Sequence, residues 1–97
     1  MGDADARRVQ VTPGWKHVSI GLAGHRVLLG GLDPWQLKWH AMEEPPITVA
    51  QPSYPRERHQ MSVYELRSGR EAVKFAAGEY SNGVWGFYVP DVRKDTR

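Results

Sequence analysis

Cysteine is missing from all 97 residues, and that absence removes disulfide scaffolds, thiol nucleophiles and thiolate zinc sites together. Long apolar runs are missing as well. No stretch approaches the length needed to span a bilayer, and Met1 to Arg8 has no apolar segment of the kind a secretory signal carries. Position 6 is Ala6 rather than Ser or Thr, so Met1-Gly2 does not open a myristoylation signal. The expectation is a cytoplasmic protein with no membrane contact. Charge is in modest supply: 13 Lys and Arg against 11 Asp and Glu leave a net +2, with part of the surplus at the chain ends. An excess this small is a faint electrostatic footprint for nucleic acid.

Enzyme signatures are equally sparse. There is no Gly-x-Ser-x-Gly elbow, no Gly-x-Gly-x-x-Gly and no Gly-Lys-Ser/Thr, so Gly21, Gly24, Gly30 and Gly31 read as turn residues rather than a phosphate cradle. The four histidines, His17, His25, His40 and His59, match no zinc spacing. An acid–base site would have to draw on His17, His40, His59, Glu43, Glu44 and Glu79. No catalytic residue, metal or cofactor is implied.

What the chain does hold is aromatic and β-prone: four Trp, four Tyr and two Phe, mostly in alternating stretches, with ten Gly and seven Pro as punctuation. The strongest signal is Glu71 to Pro90, two apolar-rich runs around Asn82-Gly83. Asn-Gly suits a two-residue turn whose central residues both need positive φ. Pairing Ser81 with Val84 then predicts Tyr80 opposite Trp85, Gly78 opposite Phe87 and Ala77 opposite Tyr88. That register places Tyr80, Trp85, Phe87 and Val89 on one face and Val73, Phe75, Ala77 and Tyr88 on the other. Both faces are apolar, so the hairpin is expected inside the fold.

A second hairpin is expected where Val18 to Leu22 and His25 to Leu29 flank Ala23-Gly24, pairing Ile20 with Val27 and Val18 with Leu29. Val9 and Val11 suggest a short edge strand ended by Pro13-Gly14. Asp33, Pro34 and Gln36 resemble a helix start, whereas Trp35, Leu37, Trp39 and Ala41 alternate with strand period. Strand is favoured, with at most a helical turn near 33–36. Ile47 to Ala50 reads as a short strand at an edge, Met61 to Leu66 as a longer one, and Arg67 to Arg70 as a tight turn. The fold class is therefore all-β, a small antiparallel meander closing into a barrel or a two-layer sandwich. Residues 1–7 are expected to form a disordered leader, 8–90 a single β domain and 91–97 a frayed polar tail.

For function, the composition favours a small non-enzymatic binding or interaction module for a protein or small-molecule ligand. The alternatives are a nucleic-acid-binding small barrel and a small enzyme using His and Glu. The chain is also compatible with a homodimer that completes a sheet. The loop from Pro52 to His59 offers Tyr54, Arg56, Arg58 and His59 between stiffening prolines, a pairing of aromatic and arginine that binding surfaces favour. Trp15 and Trp35, near strand ends, are the candidate pocket-lining aromatics. A cavity shared by Trp15, Trp35 and Trp39 would favour a small-molecule ligand, and a filled interior would favour loops and edges.

Overall fold

The computed structural model describes residues 10–50, 57–81 and 83–91. These contain seven strands: β1 (Gln10–Val11), β2 (Trp15–Leu22), β3 (His40–Ala41), β4 (Ile47–Ala50), β5 (His59–Ser68), β6 (Glu71–Ser81) and β7 (Val84–Pro90), with a single 3-10 turn at Pro34–Gln36. The all-β class is as expected. Every pairing is antiparallel, in the order β1-β4-β5-β6-β7-β2, with β3 beside β5.

Among the described residues the strands make one open sheet, with neither a closed barrel nor a second sheet. The short Thr12–Trp15 corner joins the two ends of the strand order, with Trp15 N donating to Thr12 O at 3.2 Å. Yet among the described residues β1 pairs only with β4, and β2 only with β7. The sheet hides its two faces differently. On the first face its own outer strands supply cover, gathering Ile47, Val49, Met61, Val63, Ala76, Tyr80 and Tyr88, with Val11, Trp15 and Met42 against them. On the second face the non-strand connection does the covering. Val27, Leu29, Trp35, Leu37 and Trp39 lie over Leu66, Phe75, Ala77 and Phe87. Burying Phe75 and Phe87 completely stabilises the fold by about 1.5–3 kcal/mol per side chain.

The β6–β7 hairpin turns where Asn82-Gly83 predicts, with Ser81 opposite Val84 and Gly83 at φ +80°. Its N–H donates to Glu79 Oε2 at 2.6 Å. The register beyond the turn differs by one residue. Glu79, not Tyr80, faces Trp85, and Gly78, Ala77 and Ala76 face Gly86, Phe87 and Tyr88, because a bulge lies between Glu79 and Ser81. One extra residue sends every later β7 side chain to the opposite face. Trp85 and Phe87 thereby join Phe75, and Tyr88 joins Tyr80. The bulge also lays the Tyr80 ring over Gly86, where a Cβ would come within 2.6 Å of Cε2, while Met61 Sδ occupies the matching space over Gly78. The paired glycines make room for a large residue to lie flat on the sheet.

The hairpin expected at Ala23-Gly24 is absent. The turn forms, with His25 N donating to Leu22 O at 2.9 Å, but β2 pairs with β7, opposing Ile20 to Gly86 and Leu22 to Val84. Residues 25–28 leave the sheet plane and carry Val27 and Leu29 onto the second face. Burial against Phe75 and Phe87 outweighs a local turn preference worth a fraction of that energy.

In the 33–42 segment both signals are realised. Asp33 Oδ1 accepts from Trp35 N at 2.9 Å and caps the 3-10 turn, and only His40–Ala41 pairs as a strand. The alternation of Trp35, Leu37 and Trp39 nevertheless selects one face: all three pack on the second cluster. Ile47–Ala50 is a strand but not an edge, since β1 lies outside it with Gln10 opposite Ala50. The expected leader and nearly all of the expected tail lie outside the described residues.

Candidate binding surface

The candidate residues do not converge. Tyr54 and Arg56 lie outside the described residues. Arg58 and His59, adjacent in sequence, face different places. Arg58 is exposed beside β4, whereas His59 turns inward, its ring 5.0 Å edge-on from that of Tyr80. Trp15 packs on the first face with Lys74 Nζ 5.8 Å above its ring. Trp35 packs on the second, 5.6 Å from Trp39 and 5.4 Å from Phe87. The three tryptophans are therefore not brought together: Trp15 lies on the opposite face from Trp35 and Trp39, and Trp39 Nε1 donates to Pro34 O at 2.7 Å.

The acid–base candidates are also engaged separately. Glu44 pairs with Lys74 at 2.8 Å, Glu79 accepts from Gly83 N, and His59 lies 3.8 Å from Glu57. Among the described residues no two of His17, His40, His59, Glu43, Glu44 and Glu79 share a hydrogen bond or ion pair. On the first face, His17 stands edge-on to Tyr88 at 5.3 Å, and desolvation lowers its pKa more than a hydrogen bond to the Ser19 backbone raises it. Burial pushes the Tyr80 phenol well above its ordinary range.

One region stands apart. Among the described residues the exposed large hydrophobic residues are Val18, Ile20, Leu22 and Leu28, at 38, 40, 64 and 57% exposure, and all belong to β2 or to the segment that leaves it. Val18, Ile20 and Leu22 occupy every second position of a strand whose outer side has no partner among the described residues. The strand is held firmly on its other flanks. Seven residues pair with β7, and His25 sits over Gly21, where its ring would meet a Cβ at 2.7 Å. His25 Nδ1 donates to Leu22 O at 2.8 Å, and its Nε2 is hydrogen-bonded to Ser19 Oγ at 2.6 Å. A sequence reading misses this surface because the same alternation that makes Val18, Ile20 and Leu22 exposed reads as a buried hairpin face once His25–Leu29 is paired against it. The usable signal was negative, the weak Ala-Gly turn.

No protein-family model matches the chain, and no curated protein or solved structure is significantly similar to it.

Proposed function

We propose that the protein is an interaction module that holds an extended segment of a partner protein along the outer edge of β2. The observation that carries this reading is the coincidence of its exposed large hydrophobic side chains with an unpartnered strand edge. Such an edge offers a row of backbone donors and acceptors, and alternate side chains give it selectivity. Lys16 and the bulge between His17 and Ser19 break the regularity at one end and His25 already holds Leu22 O at the other, which confines the open ladder to the backbone groups between Ser19 and the Leu22 N–H and limits non-specific pairing. The partner segment is expected to alternate apolar and polar residues, with an acidic residue where it meets Lys16.

The test is selection of extended peptides from a random display library on the intact chain, followed by amide shift mapping. The expected result is enrichment of alternating apolar peptides that shift the amides of residues 18–22. Binding should vanish in Ile20→Lys/Leu22→Lys while the melting temperature stays near wild type. Peptides that map elsewhere, or that bind the double variant equally well, contradict the reading. Binding of single-stranded oligonucleotides that weakens steeply with salt would point instead to nucleic acid.

A further inference from the structure

The exposed side chains of β2 are spaced symmetrically about Ile20, with Val18 two residues before it and Leu22 two residues after. We propose that a second copy of this chain occupies the β2 edge, through a twofold antiparallel pairing of β2 with β2 centred on Ile20. This occupant presupposes the reading of β2 as a docking edge and competes with the partner segment for it.

The hydrogen bonds to β7 fix which backbone groups of β2 face outward. Ala23 N donates to Gly83 O at 2.9 Å, so the neighbouring pair, Leu22 with Val84, exchanges no hydrogen bonds, and by the two-residue alternation of an antiparallel ladder neither does Ile20 with Gly86. The Ile20 N–H and C=O and the Leu22 N–H therefore point away from β7. About a twofold axis, each Ile20 exchanges both N–H···O bonds with Ile20 of the copy.

Side chains select the same register. Cross-strand partners share a face, so Ile20 and Leu22 lie on the first face with Gly86 and Val84. An axis normal to the sheet keeps the first faces of both copies on one side, where Ile20 meets Ile20 and Val18 meets Leu22 of the copy. A shift of two residues in either direction sets Leu22 against Lys16 or Val18 against Gly24, and an apolar side chain loses its match. The Ile20-centred register places Gly24 opposite Lys16, so no like charges are opposed. The chain beyond Leu22 turns toward the second face, where His25 lies over Gly21 and Val27 joins the cluster of Phe75 and Phe87. That leaves the first-face side of the edge open to the copy. Contact by a few residues from each chain makes a weak pair, and the edge passes from partner segment to copy as protein concentration rises.

The experiment is sedimentation velocity on the full chain from about 10 µM to about 1 mM, the range suited to an interface smaller than about 1,200 Å². It is joined to isotope-filtered nuclear Overhauser spectra of a mixed labelled and unlabelled sample. The expected result is a monomer–dimer equilibrium with contacts between copies from Val18 to Leu22 and from Ile20 to Ile20. Ile20→Lys and Ile20→Glu, each opposing two like charges at an exposed position, should each weaken dimerisation at least about tenfold, and an equimolar mixture of the two should recover it. A chain that stays monomeric while library peptides still shift residues 18–22 overturns the second copy and leaves the docking edge standing. A monomer that binds no such peptide overturns both. A dimer without Val18–Leu22 contacts between copies, one indifferent to Ile20→Lys, or no recovery in the mixture would each overturn the proposal.

Discussion

The turns at Asn82-Gly83 and at Ala23-Gly24 look alike locally: each ends on a glycine with positive φ and stands between alternating apolar runs. One closes the long β6–β7 hairpin, while the other releases the chain from the sheet. What separates them is what each following run can bury. Residues 84–90 find β6 on one side and β2 on the other, and they complete both faces. Residues 25–29, hairpinned against β2, would extend an edge and take Val27 and Leu29 away from the cluster of Phe75 and Phe87, leaving its cover to Trp35 and Trp39. Folded over the second face they cover both rings, and β2 is left with an open edge and exposed Val18, Ile20 and Leu22. The proposed binding surface is thus a consequence of how the core is completed.

The largest expected effect tests that burial directly. Phe87→Ala removes a fully buried ring that touches His25, Trp35, Trp39 and Phe75, and should cost about 3–5 kcal/mol in urea unfolding. Leu28→Ala, one residue from buried Leu29, should stay within about 0.5 kcal/mol of wild type. Similar costs for both would mean that residues 25–29 do not cover the second face as described. Next, Gly83→Val forces a β-branched residue to positive φ and should cost about 1–3 kcal/mol. An unchanged unfolding midpoint would place the hairpin turn elsewhere.

Gly21→Ala probes the released turn. Its Cβ would press on the His25 ring and disturb the bonds to Ser19 and Leu22 O, for about 1–2 kcal/mol, and the Ser19→Ala change added to it should cost little more. Additive losses in a double-mutant cycle would argue against His25 as their shared link.

The smallest effect is a pH slope. His17 sits against Tyr88 with its pKa below the ordinary 6.5, chiefly through desolvation, so the folded state favours the neutral ring. Its contribution is fully present above 6.5. It is lost as pH falls through that value toward the lower folded-state pKa, since the unfolded chain takes up the proton first. Unfolding midpoints measured between about pH 7 and pH 5 should therefore fall less steeply in His17→Gln than in wild type. Identical slopes would mean that His17 is as solvated folded as unfolded.

How much of this was legible in the sequence follows from the range of the forces involved. Local turn chemistry announced Gly83, the Arg67–Arg70 turn and the Asp33 cap. Period-2 alternation announced β5, β6 and β7 and the shared face of Trp35, Leu37 and Trp39. The bulge at Tyr80 was not legible, because it depends on Gly86 arriving opposite to receive the ring. Nor was the partner of β2, since Val84–Pro90 is more than sixty residues away in sequence and only the completed core ranks it above the nearby His25–Leu29. The candidate site inherited that blindness: its apolar residues were visible, but their exposure was not.

The most direct test of this account is a set of cross-strand nuclear Overhauser contacts for β2. Contacts linking Ile20 to Gly86 and Leu22 to Val84 are expected, with Val27 and Leu29 reporting on the aromatic rings of the second face. Contacts that instead join Ile20 to Val27 and Val18 to Leu29 would show a closed hairpin, an occupied edge and no place for the proposed partner.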